Sequence, residues 1–503
     1  MIPTASSHVA VPIAAIAQPI TINATDKSAS RAGAMGRTVP SEPVTADPLQ
    51  LALDKLAEDG AAEPVRAAFA RRFAQLQDPD AGLLAGDALE PVDDVPALDD
   101  LEGQGGDPTA ILPRLAVIKL NGGLGTSMGL RGPKSLIDVK PGITFLDAIA
   151  RQVLALRQAA PTTAPVPLVL LDSFSTRADT LRALADRHPD LAAPPIPADF
   201  LQSREPKLDA ETHAPIAWPR HPDLEWCPPG HGDVYVSLAA SGMLATLLDH
   251  GIDWAFISNS DNLGATVDPR IPAYADAHGI PFVMEVVRGT PADRKGGHIA
   301  RRRDDGRLVL RETAQTPPGD DSFTDVERWR FYNTNNLWVD LRALRATLDA
   351  DPAGPALPLI VNRKTVDPRD PASPAVLQLE TAMGAALGAI DGAQAVLVPR
   401  TRFAPVKTTD DLLVVRSDAY AIGDDGRVTP TFDGPPPVVS LAAKFYKSLP
   451  DMEARFPAGP PSLRAARSFA VTKDTTFGAD VRIIGDVSVT SGGIVPDGET
   501  LHA

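Results

Sequence analysis

The 503-residue sequence predicts an α/β fold: a mixed, largely parallel sheet with helices on both faces. Three observations lead there. Short apolar runs at 115–120, 166–171, 254–257 and 282–287 read as buried strands. Segments with helical spacing of apolar residues lie between them, the alternation that builds parallel sheets covered on both sides. Two of the strands run directly into turns rich in glycine, asparagine and aspartate, at the strand ends where such sheets hold ligands.

Residues 1–46 are rich in Ala, Ser, Thr and Pro without a sustained period and read as a disordered leader. The apolar run 9–20 lacks a preceding basic stretch and is interrupted by Pro12 and Pro19, so a secretory signal is a weak reading. Residues 47–110 form an N-terminal helical segment. Within it, Val65, Phe69 and Phe73 fall at i, i+4 and i+8, which predicts two amphipathic helices over 48–78. The acidic, proline-broken stretch 78–113 reads as a surface connection.

Residues 111–415 carry the alternating pattern. The first strand, Leu115 to Leu120, is apolar except for Lys119. Thr144 caps a helix presenting Phe145, Ile149 and Val153 on one face. A helix over 237–250 closes at Gly251. Residues 416–503 differ: apolar positions such as Val481 and Val487 recur near a six-residue step, with Gly478 and Gly485 at turns.

Composition narrows the function classes. A net charge of −16 argues against a nucleic-acid binder. No apolar run approaches the ~20 residues that span a bilayer. The single cysteine, Cys227, precludes an internal disulfide and fits the cytoplasm.

The glycine-rich turn after Leu120 is the strongest motif. In LNGGLGTSMGLRGPKS, Asn121, Gly122, Gly123, Gly125 and Gly129 offer backbone N–H groups with little obstruction, and Lys134 adds a compact cation. Pro133 separates Gly132 from Lys134, which rules out a Walker A loop, and Met128 stands where a dinucleotide fingerprint needs Gly or Ala. A nucleoside triphosphate is the ligand this array suits.

The loop resembles that of the eukaryotic-type UDP-glucose uridylyltransferases, and the resemblance continues in family order. It recurs at QSREP (202–206), PPGHGD (228–233), SNSDNLGATVD (258–268), ADRKGG (292–297), NTNNLW (333–338), QLETAMGAA (378–386) and RFAPVKTTDDLL (402–413). The resemblance implies a Rossmann-like, GT-A-like nucleotidyltransferase domain, a short C-terminal left-handed β-helix, and UTP and glucose 1-phosphate as substrates. It implies Mg2+ at Asp261 and phosphate contacts from Lys134 and Lys407. The uracil side falls to Gln202, Gly230 and the stretch Leu120, Asn121, Gly122 and Gly123. His231, Asn259, Ser260, Glu312, Asn335 and Asn336 are implied on the sugar phosphate. Trp338 and Met383 belong to the core.

Taken alone, these residues admit plainer readings. Asp261 fits an Asx-turn, Lys407 a surface position before a helix, Gln202 a solvent-facing amide and the asparagine run a turn. Two departures from the family pattern stand out: Ser260 replaces an aliphatic residue, and Glu205 an aromatic one. The short tail leaves the oligomeric state open. A UDP-N-acetylhexosamine or broad UDP-sugar pyrophosphorylase, or a non-catalytic nucleotide-binding relative, are the competing functions.

Overall fold

Near-continuous apolar strands require cover on both faces, and the chain supplies it. In the computed structural model, which describes residues 47–78, 80–130, 132–160 and 166–502, ten strands form one mixed sheet. The strand Leu115–Leu120 lies between Trp254–Asn259 and Leu168–Asp172, parallel to both, with Asp199–Leu201 beyond. Side chains alternate between two cores. Ala116 and Ile118 join Val169, Ala255, Ile257, Tyr235 and Leu247 on one face. Leu115 and Val117 join Leu168, Phe256, Ile149 and Ile271 on the other. Each such buried aliphatic contributes roughly 1.5–3 kcal/mol.

The far half of the sheet is not parallel, a correction to the sequence reading. The long strand Phe331–Asp340 runs antiparallel to both Trp254–Asn259 and Phe282–Arg288, and only Gln394–Leu397 restores a parallel pair. This strand contains the asparagine run. Its polar residues are tolerated because they bond sideways: the Thr334 hydroxyl donates to the Glu285 carbonyl at 2.8 Å. Asn333 and Asn335 bond reciprocally at 2.8 Å.

Local signals that depend on neighbouring residues hold. Helices Pro48–Glu58 and Glu63–Leu76 form as expected, and Val65, Phe69 and Phe73 are buried. Thr144 caps the helix Phe145–Ala159 with a reciprocal bond to Asp147, worth about 1 kcal/mol.

Two readings fail. The segment 237–250 is two helices, Val234–Ala240 and Met243–Asp249, because Gly242 at φ 78° ends one and starts the next. Residues 78–113 are no mere surface connection, since Leu89, Val92, Leu98, Leu101 and Ile111 are buried and Leu89–Glu90 pairs with His298–Arg302. Their apolar residues are irregularly spaced, so no period betrays them.

In the tail, strands Val438–Leu441, Ser462–Val471, Arg482–Val489 and Thr500–His502 stack in parallel. A second pair, Thr475–Phe477 and Gly493–Val495, does the same, each residue meeting its partner eighteen positions on. This core is shared with the main body: Met128, Ile137, Val139 and Phe145 pack with Leu463, Phe469, Phe477 and Val481. Among the described residues no helix is long and apolar enough to cross a membrane.

Candidate active site

The carboxyl ends of the two central parallel strands set the site. Leu120 lies in register with Asn259, and the Ser260 N–H donates to the Leu120 carbonyl at 3.2 Å. Beyond Leu120 the glycine loop folds back on itself. Leu124 bridges Pro133, and the Lys134 N–H donates to the Gly123 carbonyl at 3.2 Å. That return carries Lys134 to Asp261, with Nζ 2.6 Å from Oδ2. The other carboxylate oxygen, Oδ1, is buried without a hydrogen-bond partner. A third segment joins here: the Val406 N–H donates to the Asp261 carbonyl at 3.0 Å, which puts Lys407 one residue from the contact.

Glycines let the other loops approach. A Cβ on Gly122 would stand 2.5 Å from Gln202 Oε1, so the amide of Gln202 lies against the glycine loop. The Gln202 N–H donates to the Asp172 carbonyl at 2.8 Å, fixing it beyond a third strand end. The next residue, Ser203, gives its N–H to Asp233 Oδ2 at 2.7 Å, tying this loop to PPGHGD. There Gly230 adopts φ +80° and presses on Thr381, whose carbonyl oxygen would lie 2.6 Å from an added Cβ.

Lys407 acts electrostatically on two further residues. His231 accepts a hydrogen bond at Nδ1 from the Met383 N–H at 2.9 Å. In the neutral ring the proton therefore sits on Nε2, leaving a donor for a ligand. Although His231 is exposed, the protein packed around its ring, with the Lys407 charge adding to it, pulls its pKa below the ordinary value, and the Met383 N–H on Nδ1 favours the neutral ring. Burial pushes Glu312 up to about 7, with Lys407 opposing. The Glu312 carboxylate rests on Gly297, where an added Cβ would meet Oε1 at 2.5 Å.

Lys134, Asp261, Asn259, Ser260, Leu120, Gly122, Gly123, Gln202, Gly230, His231, Glu312 and Lys407 thus lie on connected loops. Other expected residues turn polar groups toward the protein itself. Asn121 gives its N–H to the Leu171 carbonyl and its amide to Asp172 and Thr180, so it braces the loop from inside. Gly125 and Gly129 direct their N–H groups to the Gly132 and Thr126 carbonyls. Asn336 is wholly buried, its amide shared among Glu285, the Arg402 carbonyl and Asn262. That corrects the expectation of a sugar contact. Asn335 is partly exposed at φ +58°, with its side-chain oxygen already bonded to Asn333. Sequence reasoning missed the charged pair beneath the site, Arg402 with Glu285, at 2.8 and 2.5 Å. Its signals were a glutamate inside the otherwise apolar run 282–287 and an arginine heading the apolar RFAPV stretch.

A family model described as UTP–glucose-1-phosphate uridylyltransferase matches residues 69–483. The chain belongs to the UTP–glucose-1-phosphate uridylyltransferase family. Its member from Solanum tuberosum is 41% identical over 403 residues, 78% of this chain and 80% of the relative. The Saccharomyces cerevisiae member is 39% identical over 381 residues, 75% of this chain and 74% of the relative. Among solved structures, a Leishmania major UDP-glucose pyrophosphorylase mutant in complex with UDP-glucose superposes with a TM-score of 0.84 at 40% identity, covering 90% of this chain and 98% of the other. The Trypanosoma brucei UDP-glucose phosphorylase gives a TM-score of 0.81 at 40% identity, covering 91% and 99%. The mixed α/β architecture is that of these uridylyltransferase-family structures.

Proposed function

We infer that this chain transfers the uridylyl group of UTP to glucose 1-phosphate, giving UDP-glucose and pyrophosphate. A phosphate oxygen of the sugar phosphate attacks the α-phosphorus of UTP. The new P–O bond forms as the bond to the β-phosphate breaks, and pyrophosphate leaves with the bridging oxygen. The nucleophile is already an anion, so the protein must offset repulsion between two anions and stabilise an in-line transition state. The observation that carries this reading is the convergence of Lys134, Asp261 and the Lys407 segment from three distant parts of the chain.

In this reading Lys134 binds the triphosphate where the glycine loop turns, and Lys407 lies toward the sugar phosphate beside His231 and Glu312. Gln202, against Gly122, reads the uracil edge with an amide that donates and accepts. His231 offers its Nε2 proton to the sugar phosphate or a hydroxyl, and Glu312, Asn259 and Ser260 face the sugar. Asp261 fits Mg2+: its Oδ1 is a hard oxygen donor buried without a hydrogen-bond partner. Among the described residues no cluster of three or more His, Cys, Asp or Glu could cage a metal, so the remaining ligands would come from substrate and water. When bound, Mg2+ would neutralise phosphate charge. We extend the reading to the tail, whose parallel rungs we take as a short left-handed β-helix, and to the cytoplasm as the site of action.

The test is steady-state pyrophosphate release with UTP, ATP, GTP and CTP, each with glucose 1-phosphate and with or without chelator. UTP is expected to be strongly preferred and activity to vanish in excess chelator. Equal rates with ATP would refute the nucleotide assignment, and full activity under chelation would refute Mg2+ at Asp261.

A further inference from the structure

Lys119 is the one charged side chain on the strand Leu115–Leu120, and only 2% of its surface is exposed. Burying an ammonium costs several kcal/mol unless hydrogen bonds compensate, so a packing role alone would be better served by leucine or methionine. Burial, followed by the neighbouring Arg402 charge, pulls its pKa down to about 7, against the pull of Glu285. The ammonium is directed at protein acceptors. It donates to Ser258 Oγ and to the Ala265 carbonyl, both at 2.8 Å, with the Phe256 ring centroid 5.3 Å away.

Ser258 is the last residue but one of the strand Trp254–Asn259, opposite Lys119 in register, and Ala265 lies just past the turn that carries Ser260 and Asp261. Lys119 therefore closes the turn at its base. From the opposite side Asn262 holds its middle, accepting from the Gly264 and Ala404 N–H groups at 3.2 and 2.9 Å. Arg402 continues the base by donating to the Thr266 carbonyl at 2.7 Å. The Asp261 carboxylate is thus presented to Lys134 by a turn whose flanking residues are cross-linked through one buried ammonium.

We propose that Lys119 is a positioning residue for uridylyl transfer, tying the strand end at Ser258 to Ala265 beyond the turn so that Asp261 between them is fixed opposite Lys134. The inference rests on the reading of Asp261 as a group of the reacting site. It makes a prediction that packing does not. Displacing a reacting group by about 1 Å can cost on the order of 100-fold in rate, while contacts to the sugar on other loops stay intact.

The experiment compares Lys119→Met, Ser258→Ala, the double variant and Asp261→Asn for kcat, for KM of glucose 1-phosphate and for melting temperature. Lys119→Met is expected to lower kcat roughly 10- to 100-fold, with that KM rising by less than kcat falls, since Asn259 and Ser260 move with Asp261 while His231 and Glu312 stay in place. Ser258→Ala, which keeps the lysine and removes one acceptor, should lower kcat several-fold. The double variant should lose no more than Lys119→Met alone, since both changes break one clamp. A kcat for Lys119→Met within about twofold of the parent overturns the proposal, as do fully multiplicative losses. If Lys119→Met fails to fold, Ser258→Ala decides, and an unchanged kcat there overturns it. Full activity in Asp261→Asn would bring down the reading of Asp261 instead.

Discussion

The two halves of the sheet use polar residues in opposite ways. In the parallel half, apart from the buried pair Lys119 and Ser258, polar groups sit on loops beyond strand ends and stay reachable: the side chains of Lys134 and Asp261 are 15% and 20% exposed. In the antiparallel half they lie inside strands and turn inward: Asn336, Thr334 and Glu285 are buried and bond to one another's elements. The first half serves ligands, whereas the second holds the first in place. Polarity alone does not mark a binding residue; its position relative to the strand end does.

The sharpest break of that contrast is Arg402→Leu. It leaves Glu285 buried without its guanidinium partner, a loss expected to cost about 3–5 kcal/mol of stability in chemical denaturation. Lys134→Ala should do the reverse, removing roughly 2–4 kcal/mol of transition-state stabilisation with an unchanged melting temperature, measured by kcat/KM for UTP. Asn336→Ala places the boundary between the halves. It should destabilise by about 1–3 kcal/mol by orphaning buried partners, while KM for glucose 1-phosphate in the folded protein stays put. A raised KM with unchanged stability would move Asn336 into the ligand-facing group.

The smallest effect is electrostatic. The folded-state pKa of Glu312, about 7, exceeds its ordinary 4.5, so the native state holds the proton more tightly. That contribution is fully present below the ordinary value and is lost as pH rises through about 7. Glu312→Gln removes it, so melting scans should show the variant gaining on the parent between about pH 5 and pH 8. A constant difference across that range would place Glu312 in solvent-like surroundings.

Legibility in the sequence follows the same division. The glycine loop and the Thr144 cap are readable because their geometry is set by residues a few positions apart. The asparagine run was read as turn-prone because its partners, Glu285 and Arg402, lie 51 and 66 residues away. Gly242 broke a helix whose apolar spacing ran straight through it. Lys119 is visible as an exception to an apolar strand, yet its partners, Ser258 on the neighbouring strand and Ala265 beyond the turn, are brought near only by the fold.

The buried pair of Arg72 and Glu205, 2.5 Å apart, bears on how such a chain changes over generations. It joins the second N-terminal helix to the loop that carries Gln202. Burial lifts the pKa of Glu205 to about 7, with Arg72 opposing. Altering either residue alone strands a charge in the interior, at a cost of about 3–5 kcal/mol, so single mutations at this contact are selected against from both directions. Replacing both residues together by well-packed apolar side chains avoids that cost. The N-terminal helices are thereby bound into the inheritance of the catalytic body, and neither part can drift without the other.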